Sequence, residues 1–184
     1  MKKRILLRVR TISGTTIAEL AGIVFIFFFF LALPMIDLCL IGYRSSIVFG
    51  AVRDAATQAS TSLTYSSPVP SLTAANNVPA VQRAQNAVQQ YLHPFSGLRM
   101  SRPRVGIVVV NNTTGKKSGP FYHPLISIDD EANAYYLDVS VKAEAEPIAE
   151  YLSPIVGRIP GIAAPIVFEP HTQRRFENPR GLTM

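Results

Sequence analysis

Hydrophobic and polar positions change rhythm several times along this chain of 184 residues. From Leu20 to Ile36 no side chain is charged, and the apolar character resumes after Asp37 through Leu38, Cys39, Leu40 and Ile41. A helix rises about 1.5 Å per residue and a bilayer core is about 30 Å thick, so about 20 apolar residues cross it. Ile17 to Ile36 has that length, and four successive phenylalanines, Phe27 to Phe30, suit lipid. One membrane span is predicted. Beyond it, from Tyr43 to about Leu63, proline is absent and Ile47, Ala51, Ala55 and Ala59 recur every four residues, so the helix is expected to continue outside the membrane. Small residues at that interval let a second helix approach closely, either from the same domain or from another protein.

"YSSPVPS", Tyr65 to Ser71, ends that helix with two prolines. A second helix is predicted with Asn77 as cap, Pro79 in the first turn and Val81, Ala84, Val88, Tyr91 and Leu92 on one face, stopping before Pro94. The period then shortens. Val105 to Val110 reads as a short buried strand, and "YYLDVSVKAEAE" alternates, with Leu137, Val139, Val141 and Ala143 on one side and Asp138, Ser140, Lys142 and Glu144 on the other. These two are expected as antiparallel neighbours joined by a loop from about Asn111 to Ala134, long enough to carry a function. After Pro147 an apolar connector containing Ile148, Tyr151, Leu152, Ile155, Val156 and Ile159 leads to a last strand near Pro165 to Glu177. The connector is expected either to cap the core of the sheet or to touch the membrane surface or another subunit.

Charge alters the picture at the N-terminus. The formal net charge is +6, but Lys2, Lys3, Arg4, Arg8 and Arg10 precede any acid, and without them only +1 remains. The basic excess is therefore a topology signal that keeps the N-terminus in the cytoplasm and sends the chain after about residue 42 outward. No nucleic-acid partner is expected. Cys39 is the single cysteine, so no disulfide within the chain is possible and the outer part must hold by packing. That part has roughly 120–140 residues, enough for one modest domain.

Glu19 stands at the mouth of the span. A carboxylate costs about 2.5–3.5 kcal/mol at the centre of a span and less near its edge, so its presence calls for an explanation. A secretory signal peptide does not supply one, because the apolar run is too long and lacks a convincing small-x-small cleavage site. A plain signal anchor accounts for everything but the acid. Asp37, near the other edge, is expected to reach interfacial water.

Gly14 followed by four residues and then Glu19, after a basic leader and before an apolar helix, reproduces the pattern cut by prepilin peptidases. Here the sequence resembles a pilin-like precursor. The resemblance implies cleavage between Gly14 and Thr15 and an assembly role for Glu19, paired with the free amine of a neighbouring subunit. Such a pair lowers the cost of burying each charge and sets an axial register. The segment "IDLCLIGYRSSIVFGAVRDAATQAS" is similar to the one that follows the span in TadE-like proteins of tight-adherence (Flp) pilus systems. Asp37 and the run Ala51, Val52, Arg53, Asp54, Ala55, Ala56 match that family's acid and its alanine-rich helix. The proline- and glycine-rich crossover before a closing strand, after Pro147, is also TadE-like. The only proline of the span is Pro34.

Candidate chemistry is sparse. His93, His123 and His171 stand alone, each beside a proline and none at metal-ligand spacing. Asp129, Asp130 and Glu131 lack the oxygen-ligand alternation of a calcium loop and read as a solvated turn. The two glycosylation sequons at Asn111 to Thr114 are short patterns common by chance. No hydrolase, zinc-protease or phosphate-loop motif occurs, so no enzyme, cofactor or metal is expected.

The expectation is an α+β protein with a basic cytoplasmic leader (1–14), a transmembrane helix (15–42), a helical extension (43–64) and a small extracytoplasmic domain (65–184) with a second helix and an antiparallel sheet of about three strands. By resemblance it is a minor pilin (pseudopilin) or assembly factor of a tight-adherence pilus in a bacterial inner membrane. Its partners would be a prepilin peptidase, other pilin-like subunits and the pilus assembly machinery. Gly14, Thr15 and Glu19 are the processing and assembly residues, and Ala51, Arg53, Asp54 and Ala55 a possible helix contact. The alternative is a single-span, membrane-anchored binding domain that keeps its leader.

Overall fold

The computed structural model describes residues 13–68, 78–92, 96–148, 159–161 and 164–183. Its spine is helical from Ser13 to Ser60: α1 (Ser13–Phe27), one π turn (Phe28–Ala32) and α2 (Leu33–Ser60). Pro34 explains the π turn. A proline inside a helix lacks an N–H and its ring presses on the carbonyl four residues earlier. Widening the preceding turn, so that the Leu33 N–H donates to the Phe28 carbonyl five residues back, gives the ring room without ending the helix.

Among the described residues one helix, Glu19–Ser60, is long and apolar enough to cross a membrane. Ile23, Phe25, Phe27, Phe30, Met35 and Ile36 are all about half exposed or more. This is the surface of a single-pass membrane anchor. From Asp37 onward the same helix is half covered, and Val48, Ala51, Val52, Ala55, Ala56 and Ala59 are fully buried.

What covers it is a second helix and an antiparallel sheet. Helix α3 (Ala80–Leu92) packs on α2 through Ala80, Ala84, Ala87 and Val88, which are buried. Val81 and Tyr91, expected on the buried face, lie at its half-buried rim, and the cap predicted at Asn77 and the stop at Pro94 fall outside the described residues.

Among the described residues seven strands follow: β1 (Leu98–Met100), β2 (Arg104–Asn111), β3 (Lys117–Phe121), β4 (Asn133–Ser140), β5 (Ala143–Ala145), β6 (Ile166–Phe168) and β7 (His171–Arg175). They form a four-stranded sheet in the order β3-β2-β4-β7 and a three-stranded sheet in the order β1-β5-β6, all pairs antiparallel. The class is α+β as expected, with more strands than the three anticipated. The excess has a simple origin. β4 pairs with β7 (Ser140 opposite His171) and β5 with β6 (Ala143 opposite Phe168) in one unbroken register. The single strands expected at 135–145 and 165–177 are thus each one extended run interrupted in the middle. Pro170, without an N–H, cannot hold that point of the ladder, and Pro103 separates β1 from β2 in the same way. Alternation survives the break, since Tyr135, Leu137, Val139, Val141, Ala143 and Ala145 are all buried.

The long loop expected from Asn111 to Ala134 instead contains β3, an edge strand folded back on β2. Its sequence, Lys-Ser-Gly-Pro-Phe, has little strand propensity, and its Gly119–Pro120 peptide bond is cis. Helix α2 lies across β4, β5 and β7, and α3 across β1 and β2. The C-terminal segment closes the far end of α2: the Glu177 N–H donates to Ser60 O (3.1 Å), Asn178 Nδ2 to Leu63 O (3.0 Å) and the Tyr65 N–H to Gly181 O (3.0 Å).

Candidate assembly and membrane-proximal site

Gly14 and Thr15 fall in the first turn of α1, and Glu19 follows on the same helix with its side chain exposed. Glu19 is five positions after Gly14, about 7.5 Å along the axis. The acid therefore stands at the entrance of the lipid-facing surface.

Asp37 is placed differently from expectation. It is only 1% exposed and accepts the Ile148 N–H at 2.8 Å, so it faces the protein and not interfacial water. The cause is the fold-back of the segment after β5, which covers the first turn beyond the span. Two turns further out, the Arg44 guanidinium donates to the Glu146 carbonyl and to Ser96 O (3.0 Å). The backbone beside it must leave room. Gly97 has a φ of 72°, and a Cβ there would lie 2.6 Å from Arg44 Nη2. The Glu146 N–H donates to Gly97 O (2.9 Å), and Arg99 pairs with Glu146 at 2.7 Å on the surface. One acid and one arginine of α2 thus tie together two chain segments, 96–99 and 146–148, at the end of the domain nearest the span.

Sequence reasoning did not single out Arg44 or give Asp37 a structural partner, yet the signal was there. Asp37, Ile41, Arg44, Val48, Val52, Ala55 and Ala59 follow one another at steps of three or four, one stripe of a helix. The two polar members share the face that the domain covers.

The possible contact residues divide between two faces. Ala51 and Ala55 are fully buried under α3 and the sheet, so the small-residue spacing serves packing within the chain. Arg53 is exposed, and Asp54 accepts a hydrogen bond from Gln58 Nε2 (3.1 Å) on the outer side. Tyr43 and Phe49, 58% and 56% exposed, also lie outside, and a Cβ on Gly42 or Gly50 would meet nothing. Arg53 and Asp54 remain available to another molecule; the two alanines do not.

Among the described residues the polar loops form no common centre. His123 Nδ1 lies 3.1 Å from Pro124 O, His171 Nδ1 lies 3.4 Å from Asp138 Oδ1, and His93 falls outside the described residues. Asp129 Oδ1 accepts the N–H groups of Glu131 and Ala132 (3.2 and 3.0 Å), which makes the acidic triplet a self-capped turn. Asn111 Oδ1 does the same for Thr113 and Thr114. Among the described residues no three His, Cys, Asp or Glu side chains gather as a metal would require.

One groove of about 590 Å³ opens where β3 leaves the edge of β2, between Tyr65, Val81, Arg104, Tyr122 and His123. There the Tyr65 hydroxyl donates to Val105 O at 2.6 Å, replacing the missing strand neighbour. Burial, with a smaller contribution from Tyr122, pushes the Tyr65 hydroxyl up to about 12 from its ordinary 10, so it stays a neutral donor. Comparison with models of protein families, with curated proteins and with solved structures finds no match to this chain.

Proposed function

We propose that the chain is a pilin-like subunit, a minor pilin or assembly factor of a tight-adherence (Flp-type) pilus. It would be held in a bacterial inner membrane with the N-terminus cytoplasmic and the α+β domain outside. One observation carries the reading: a helix running from Ser13 to Ser60, bare and apolar from Leu20 to Ile36 and built into a domain beyond Asp37, that begins with Gly14, Thr15 and Glu19. In this reading a prepilin peptidase cuts between Gly14 and Thr15, and the Glu19 carboxylate meets the new Thr15 ammonium of a neighbouring subunit. Each charge at that depth needs a partner, and the pairing sets the axial register of adjacent helices. The function is structural, with no catalytic residue.

The test is the mature N-terminus, read by intact mass and terminal sequencing from cells with and without a prepilin peptidase. A start at Thr15 that depends on the peptidase is expected, whereas a Met1 or Lys2 start in both strains refutes the mechanism. The groove beside Tyr65 supports a second reading, a membrane-anchored binding domain that keeps its leader. That protein would tolerate Glu19→Leu without loss of function, which the pilin-like subunit would not.

A further inference from the structure

The end of the domain nearest the span carries exposed apolar side chains at a depth the helix itself sets. If Ile17 to Ile36 crosses the hydrocarbon, about 30 Å at 1.5 Å per residue, Asp37 is the first residue beyond it. The bond from the Ile148 N–H to Asp37 Oδ1, 2.8 Å, then pins Ile148 to the level of the bilayer surface. Ile148 is 57% exposed. Ile159 is 46% exposed, and at Gly161 a Cβ would lie 3.4 Å from Ile41 Cδ1, one helical turn above Asp37. On the opposite face of the helix, Met35, Ile36, Cys39, Leu40 and Tyr43 line a separate apolar groove of about 400 Å³ at the same level. Tyr43 suits the headgroup level, where an aromatic ring with a polar tip is favoured.

We infer that this end of the domain is a membrane foot: Ile148 and Ile159 enter the lipid interface and continue the apolar surface of the span onto the domain. The occupant is lipid, because the patch lies directly above the face of the span that carries Phe30 and Ile26, seven and eleven residues before Asp37 and 54% and 59% exposed. Apolar groups at that boundary bury themselves about 5–10 Å deep among headgroups and upper acyl chains. Arg44, gripping Glu146 O and Ser96 O from above, keeps the foot attached to the helix, so the domain sits at one fixed height. The inference rests on the single-span reading and not on cleavage at Gly14 or on the pilus.

The experiment uses the full chain in vesicles of phosphatidylethanolamine and phosphatidylglycerol. In a Cys39→Ser background, single substitutions Ile148→Cys, Ile159→Cys, Leu31→Cys and Ile126→Cys are labelled with an environment-sensitive fluorophore. Quenching is read from a lipid with a nitroxide at the top of its acyl chain and from aqueous iodide. Labels at 148 and 159 should be quenched by the lipid several-fold more than the label at 126, where Ile126 is 95% exposed, and should be shielded from iodide. Lipid quenching at 31 with solvent-like behaviour at 148 and 159 overturns the foot and leaves the span. Absence of lipid quenching at 31 as well overturns both. Protection of 148 and 159 from both quenchers also overturns the foot, since protein would then cover the patch.

Discussion

Replacing Asp37 by alanine separates two roles for an acid at the end of a span. If the carboxylate serves only contacts between subunits, the isolated chain should not notice its loss. The structure instead makes it an acceptor for the Ile148 N–H in a site where Asp37 is 1% exposed. A hydrogen bond to a charged group contributes about 1.5–3 kcal/mol. We therefore expect local opening at residue 148 to become easier by about 2–3 kcal/mol, about a 30- to 150-fold loss of protection. Amide hydrogen exchange on the full chain in micelles reads this directly, with the Leu137 amide in central strand β4 as an internal reference. Asp37→Asn keeps an acceptor oxygen and should lose only about a third to a half of that free energy, the difference between a charge-assisted and a neutral bond. Unchanged exchange at 148 in Asp37→Ala, with the reference also unchanged, would refute the assignment.

Tyr65→Phe should destabilise the domain by about 1–2 kcal/mol, because Val105 O loses its donor, and denaturant unfolding followed by near-ultraviolet circular dichroism will show it. The raised Tyr65 hydroxyl also gives a pH signature: its stabilisation is complete below pH 10 and is lost as pH rises through about 12, since the unfolded chain gives up this proton first. Solvent in the open groove screens the effect, so the expected loss is roughly 1–2 kcal/mol, and Tyr65→Phe should abolish that step while leaving other alkaline transitions in place. Gly181→Ala would drive a methyl into the Leu63 carbonyl, where only backbone can give way, so a loss of more than about 3 kcal/mol is expected and thermal unfolding will measure it. Ala55→Leu should cost about 1–3 kcal/mol through overpacking under α3, whereas Arg53→Ala should stay within about 0.5 kcal/mol, both read from unfolding midpoints.

Much of the fold was legible because hydrophobic periodicity is a local property. The bare span, its continuation as α2, the second helix and the alternating β4 run all rest on patterns within a few turns or pleats, and each is present. What escaped depends on distant chain. β3 has a glycine and a proline in five residues and exists because β2 offers it an edge, so nothing in its own sequence announces it. The break at Pro170 interrupts a ladder whose register continues, whereas at Pro103 the pairing slips by one residue between β1–β5 and β2–β4, and only the pairing reveals either. The candidate site divides in the same way. The Gly14, Thr15 and Glu19 pattern is local, read from spacing together with the basic leader and the apolar run, while Asp37 and Arg44 find partners far along the chain, at Ile148 for the first and at Ser96 and Glu146 for the second.

The helix has a deformable part and a clamped part, and their boundary matters for any assembly mechanism. Beyond Pro34, side chains at 37, 41, 44, 48, 52, 55 and 59 are bonded or packed to the domain on one stripe, so α2 cannot slide or turn without breaking the Asp37 and Arg44 contacts together with the alanine packing. Before Pro34 no such contact exists among the described residues, and the π turn at Phe28–Ala32 already departs from the ordinary hydrogen-bond pattern. Bending is therefore cheapest between Phe28 and Pro34, within the lipid-facing surface and away from the domain. If the chain is the pilin-like subunit proposed above, Glu19 lies on the free side of that point and Arg53 on the fixed side. A neighbour that engages Glu19 can thus reorient the first helix without disturbing the outer face around Arg53, and contacts made at the two levels are mechanically independent.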